Sequence, residues 1–190
     1  QLDTNILYMK RREGSKTEIC VERVDFVNVI SAAKSVIVQM AEKKRITSST
    51  HIEKNVPGIM GEREKIRRVI ENLMSNAVKF ARAGGKIRNA VEYAQGNVII
   101  IVEDNGIGIK KEEQELIFPK FVQGDSSIHR PYSGSGLGLA LARELVDLHG
   151  GSITVNSEEG VGSVFTVTVP AKTGMGDGKE KGEENEDNAG

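Results

Sequence analysis

Asn72, Asn76 and Lys79 lie close together in Glu71-Asn72-Leu73-Met74-Ser75-Asn76-Ala77-Val78-Lys79-Phe80. At about 100° per residue the two amides and the ammonium share a helical window of roughly 60°, away from the apolar stripe. An amide oxygen is a hard ligand for a cation that keeps several waters, and a lysine ammonium is a point charge for phosphate. This face is therefore a magnesium–phosphate site or an ordinary solvated face. Further on, Asp104-Asn105-Gly106-Ile107-Gly108-Ile109 follows the apolar run Val98-Ile99-Ile100-Ile101-Val102. It is either a plain turn or a corner that reads a base. In the second case the carboxylate accepts from the exocyclic amine of adenine and the glycines let backbone approach the ring. Guanine would present a carbonyl oxygen and be repelled. The third group is Gly134-Ser135-Gly136-Leu137-Gly138-Leu139. Glycines opening a helix leave backbone N–H groups free for an anion at the positive end of the dipole. Leu139 stands where G-x-G-x-x-G needs its last glycine, and no G-x-x-x-x-G-K-[ST] string occurs, so neither common nucleotide fingerprint applies.

These groups need a scaffold, and the hydrophobic pattern supplies one. A strand is predicted near residues 17–24, then a helix over 25–44 with Asp25 as N-cap ahead of Phe26, Val29, Ile30, Ala33, Ile37 and Met40. A short strand near 46–53 follows. The long helix over about 62–82 buries Ile66, Val69, Ile70, Leu73, Met74, Ala77 and Ala81 and stops at Gly84-Gly85. Strands over 86–94 and 97–104 are joined at Gln95-Gly96 as a hairpin. Residues 105–135 are too long for an idle connection and read as a functional loop. A helix over 137–149 precedes strands at 152–156 and 164–169, a closing hairpin around Gly160-Val161-Gly162. The expected fold is α+β, a two-layer sandwich with a mixed, mostly antiparallel sheet of about five strands covered on one face by about three helices.

The ends have a different character. Leu2, Ile6 and Met9 recur at helical spacing before Lys10-Arg11-Arg12-Glu13-Gly14, as in the last turns of a helix that begins outside this sequence. Residues 171–190 carry six acids against three lysines among repeated glycines and are expected to be a disordered acidic tail. Over all 190 residues the net charge is −1, with no field for nucleic acid or an anionic membrane. One cysteine, Cys20, excludes an internal disulfide and a cysteine-rich metal site. No apolar run approaches the roughly 20 residues that span a bilayer, and residues 1–12 lack the order of a signal peptide. The chain reads as soluble and cytoplasmic, within a parent protein whose membrane anchoring is open.

Taken in order, the motifs resemble those of the ATP-binding catalytic domain of sensor histidine kinases, in the superfamily shared with gyrase B, the large heat-shock chaperone and MutL. The resemblance covers about residues 15–170. Residues 71–80 are similar to the N box, Asp104-x-Gly106-x-Gly108 to the first glycine box, Phe118-Pro119-Lys120-Phe121 to the F box and Gly134-x-Gly136-Leu137-Gly138-Leu139 to the second glycine box. The run Glu144-Leu145-Val146-Asp147-Leu148-His149-Gly150-Gly151 continues the family pattern. The resemblance implies a Bergerat-type sandwich that binds ATP and Mg²⁺. It divides the chain into a truncated dimerisation helix and linker (1–14), a catalytic domain (15–170) and the tail (171–190). It implies that Asn76 ligates Mg²⁺, Lys79 contacts phosphate, Phe80 packs near the nucleoside and Asp104, with Gly106 and Gly108, reads adenine. Ile107 and Ile109 either wall the base pocket or are ordinary core. Gly134, Gly136, Leu137, Gly138 and Leu139 supply amides to the phosphates. Residues 123–133 form a lid in which Arg130 reaches the γ-phosphate, and Phe118 and Phe121 anchor it or are satellite core. Ser163 stands where the family often has a small hydroxyl near adenine.

ATPases of that superfamily carry a Glu four residues before the metal-binding Asn, and here that position is Asn72. An amide takes no proton at neutral pH, so the site reads as one that holds ATP for transfer to another nucleophile rather than to water. Gln123 replaces an arginine common in relatives, leaving Lys120, Arg130 or Arg82 to compensate. None of His51, His129 and His149 has the sequence context of a phosphoacceptor. The expected partner is therefore the protein's own dimerisation and phosphoacceptor hairpin, missing here, with a response regulator reached indirectly. The fragment alone should be a monomer that cannot phosphorylate itself. Two other readings remain: a protein serine kinase of the same superfamily, and a non-catalytic nucleotide-sensing or scaffold module.

Overall fold

A computed structural model describes residues 21–118 and 137–171. The expected N-terminal helix, residues 17–20 of the first expected strand, Phe121, the expected lid with Arg130, Gly134, Gly136 and the acidic tail lie outside the described residues. Along the chain run β1 (Glu22–Val24), α1 (Phe26–Lys43), β2 (Thr47–Ile52), β3 (Ile59–Gly61), α2 (Arg63–Phe80), β4 (Lys86–Ala94), β5 (Asn97–Asp104), α3 (Lys111–Gln114), α4 (Leu137–Leu148), β6 (Ser152–Glu158) and β7 (Gly162–Pro170).

The helices start and stop for identifiable reasons. The Asp25 carboxylate accepts the Val27 N–H at 2.9 Å and the Asn28 amide at 2.8 Å, capping α1 as its sequence predicts. Helix α2 has no side-chain cap of its own at Glu62. Instead the His149 ring, at the far end of α4, accepts the Glu62 N–H at Nε2 (3.1 Å) while its Nδ1–H donates to the Leu145 carbonyl (2.7 Å). At the other end of α2 the Lys44 ammonium donates to the carbonyls of Val78 (2.9 Å), Lys79 (2.6 Å) and Ala81 (3.2 Å). A cation there satisfies orphan carbonyls and complements the negative end of the helix dipole.

Five strands form the main sheet in the order β2-β4-β5-β7-β6, with β2 parallel to β4 and the remaining neighbours antiparallel. The β4–β5 hairpin turns through Gln95 and Gly96, both at positive φ (51° and 76°), the geometry of a two-residue primed turn. Alternation puts Ile87, Val91, Val98, Ile100, Val102, Phe165, Val167 and Val169 on one face. Against that face pack Ile66, Val69, Ile70, Leu73, Met74, Ala77 and Val78 of α2, with α1 and α4 on either side. Each fully buried aliphatic side chain here contributes about 1.5–3 kcal/mol. The opposite face carries charged and β-branched residues such as Arg88, Glu103, Thr154 and Thr166. The two-layer sandwich expected from the sequence is the fold observed.

Two features differ from the pattern reading. The first described strand is only Glu22–Val24, and it pairs with β3 in a separate two-stranded sheet rather than joining the main one. Strand β3 itself is three residues, too short for any alternation to show. The long loop after β5 also contains one turn of helix, α3.

Candidate functional site

Asp104 is the last residue of β5, on the same inward face as Val98, Ile100 and Val102, and is only 6% exposed. Its carboxylate accepts the Gly106 N–H at 2.8 Å, and the register of β5 with β7 places Ser163 opposite it, with its backbone amide near enough to favour the charged form. Burial raises its pKa above the ordinary 3.8, the two amides pull the other way and Glu103 adds a smaller upward push. The result is a recessed acceptor at the end of an apolar strand, as a base-reading corner requires.

The glycines beside it are demanded by close approach. A Cβ on Gly106 would stand 2.3 Å from the Phe80 carbonyl oxygen. Gly108 sits at φ 68°, and a Cβ there would meet the Glu158 carbonyl at 1.9 Å. The loop is stitched on both sides. Ile107 N–H donates to the Phe80 carbonyl (3.2 Å), Gly160 N–H to the Ile107 carbonyl (2.7 Å) and Ile109 N–H to Ser157 Oγ (2.9 Å). The Gln114 amide ties the Ile109 and Ser157 carbonyls together at 3.0 and 2.7 Å. Ile107 is 45% exposed at the mouth, whereas Ile109 packs against the core.

The Phe80 carbonyl joins this loop to the end of α2, which carries Asn72, Asn76 and Lys79. Asn72 and Asn76 are half-buried and Lys79 is exposed, its Nζ 5.0 Å from the centroid of the Phe80 ring. The Asn72 amide donates to the Gly138 carbonyl at 3.1 Å, binding the middle of α2 to the first turn of α4. A Cβ on Gly138 would come within 3.3 Å of Asn72 Oδ1, so glycine permits that contact. Glu71, the neighbouring carboxylate, is instead held by an ion pair with Arg67, which also reaches Glu64 at 2.5 Å. Leu137 begins α4 and Leu139 packs against the core.

The fold thus brings Asn72, Asn76, Lys79 and Phe80 together with Gly106, Ile107 and Gly138, and places Ser163 next to Asp104. Phe118 is buried with its ring edge-on to Phe165 at 6.3 Å, so its packing is that of core. Phe121, Arg130, Gly134 and Gly136 lie outside the described residues. Sequence reasoning missed Lys44, Gln114 and Ser157. Each acts on a segment distant in sequence, and no local string signals such a contact.

Comparison with known proteins agrees with this geometry. The profile of the "Histidine kinase-, DNA gyrase B-, and HSP90-like ATPase" family matches residues 61–173. The chain is 35% identical over 175 residues to the circadian input-output histidine kinase CikA of Synechococcus elongatus, covering 91% of this chain and 23% of that protein. It is 34% identical over 170 residues to the aerobic respiration control sensor protein ArcB of Escherichia coli, covering 88% of this chain and 22% of that one. The chain therefore spans about a quarter of the length of these relatives. Among solved structures, the catalytic domain of histidine kinase ThkA superposes with a TM-score of 0.68 at 26% identity, covering 80% of this chain and 95% of that one. Full-length ShkA in complex with AMPPNP gives 0.70 at 27%, covering 82% and 32%. This chain belongs to the histidine kinase-, DNA gyrase B- and HSP90-like ATPase family, and its relatives within it are histidine kinases.

Proposed function

We propose that this domain binds Mg-ATP and donates the γ-phosphoryl group to a histidine on a separate dimerising hairpin, as one step of two-component signalling. The observation that carries the reading is the buried Asp104 carboxylate at the end of β5, beside a glycine loop joined through Phe80 to the amide-and-lysine end of α2. A base amine finds an acceptor at Asp104, and its ring finds backbone brought close by Gly106. The phosphates then run toward Lys79 and the amides that open α4.

The donor set also fits a divalent cation. Among the described residues no three His, Cys, Asp or Glu side chains gather, so a cation would take the Asn76 amide oxygen together with phosphate oxygens and water. When bound, it supplies charge neutralisation to the phosphates. Asn72 has no proton-accepting capacity at neutral pH, and its amide holds α4 against α2. It orients the phosphate end of the site while leaving water unactivated.

The histidines of the described domain do not serve as acceptors in this account. Both ring nitrogens of His149 are engaged, one with Glu62 and one with Leu145. Incubating the chain with γ-labelled ATP and a separately supplied histidine-bearing hairpin should label the hairpin with acid-labile, alkali-stable phosphate and leave the chain unlabelled. Acid-stable phosphate on the target, or release of inorganic phosphate at about one turnover per second, would overturn the proposal.

A further inference from the structure

Ser157 lies on β6 beneath the base corner, and its hydroxyl has one proton and two lone pairs. Three contacts use all of them. The Gly162 carbonyl at 2.7 Å can only accept, so it takes the Ser157 proton. The Ile109 N–H at 2.9 Å fills one lone pair. The Ser163 hydroxyl at 3.0 Å meets the other, so in that contact Ser163 must be the donor. With its proton committed to Ser157, Ser163 Oγ has only lone pairs left to offer. Ser163 pairs with Asp104 across β5 and β7, and both side chains are buried.

We propose that Ser157 is a positioning residue for base selection: by holding the Ser163 hydroxyl as an acceptor, it makes the corner beside Asp104 an all-acceptor surface. Where it faces the 6-position of a purine, such a surface takes an amino group and rejects a carbonyl. The inference rests on the proposed role of Asp104 in reading adenine and extends it to a residue that does not touch the base. Without the Ser157 oxygen the Ser163 O–H is free to rotate, and it can donate to a carbonyl directly or through a water. Rejection of the carbonyl then weakens although Asp104 is intact. Because Ser157 also anchors Ile109 and Gly162, a merely structural role would weaken all nucleotides alike. The two roles are separated by a ratio of affinities.

The test is calorimetric titration of the full chain with ATP and with ITP, whose hypoxanthine carries a carbonyl in place of the 6-amino group and an N1–H in place of adenine's bare N1. The unchanged chain should prefer ATP. Ser157→Ala should lower the ratio of the ITP to the ATP dissociation constant by about three- to tenfold, the effect of one redirected hydrogen bond. Ser157→Thr, which restores the hydroxyl, should recover it. Ser163→Ala keeps the Ile109 and Gly162 bonds, covers the case in which Ser157→Ala fails to fold, and should lower the ratio likewise. An unchanged ratio in Ser157→Ala, or in Ser163→Ala if only that variant folds, would overturn the inference while leaving the Asp104 reading intact. Equal binding of ATP and ITP by the unchanged chain would overturn both.

Discussion

At the scale of single residues, Asp104 is placed at a cost to the fold. Burial lifts its pKa, so the folded state binds a proton more readily than the unfolded chain does. Its contribution to stability is then greatest below the ordinary value of 3.8 and is lost as pH rises through the higher folded value. Asp104→Asn, which removes the charge and keeps an oxygen for the Gly106 amide, should unfold at the same temperature as the parent or higher at pH 7. The advantage should shrink in acid, and thermal melts across that range check it. A marked drop in melting temperature at pH 7 would show that the carboxylate is needed for folding. Asp104 and the Asn76/Lys79 pair were legible in the sequence because their motifs are contiguous or share one helix face. Ser157 was not, because its significance depends on Ile109 and Ser163 arriving from β5's loop and from β7.

At the scale of elements, the site depends on where α2 ends. Lys44 has its ammonium on three carbonyls of that terminus, two of them belonging to Val78 and Lys79, directly before the Phe80 carbonyl that holds the glycine loop. Lys44→Met keeps the aliphatic stem and removes the donors. It should lower stability by about 1–2 kcal/mol and weaken ATP binding as the end of α2 loosens. Denaturant melts together with nucleotide titration measure both, and unchanged ATP affinity would show that the terminus does not govern the site. Helices α1 and α2 and the β4–β5 hairpin were readable from period and turn chemistry alone, since each buries one regular stripe and ends at a recognisable cap or glycine. Strand β3 was not, because Ile59, Met60 and Gly61 become a strand only by pairing with β1. Helix α3 was hidden for a similar reason: four polar residues carry no periodic stripe.

At the scale of the molecule, the sheet order explains why three separated motifs meet. Strand β7 lies beside β5 although about sixty residues separate them in sequence, so Ser163 reaches Asp104 and the β6–β7 hairpin supports the glycine loop. Helix α2 crosses the same sheet between α1 and α4, which sets its amide-bearing face against Gly138 and its carboxyl end against Gly106. The nucleotide site proposed here therefore lies at the seam between the two layers, and no single element contains it. Its central claim is the adenine corner, and calorimetric titration with ATP and with GTP in the presence of Mg²⁺, using Asp104→Asn as control, tests it most directly. The account predicts that ATP binds, that GTP does not, and that the substitution abolishes ATP binding. Equal binding of the two nucleotides, or ATP binding that survives Asp104→Asn, would contradict it.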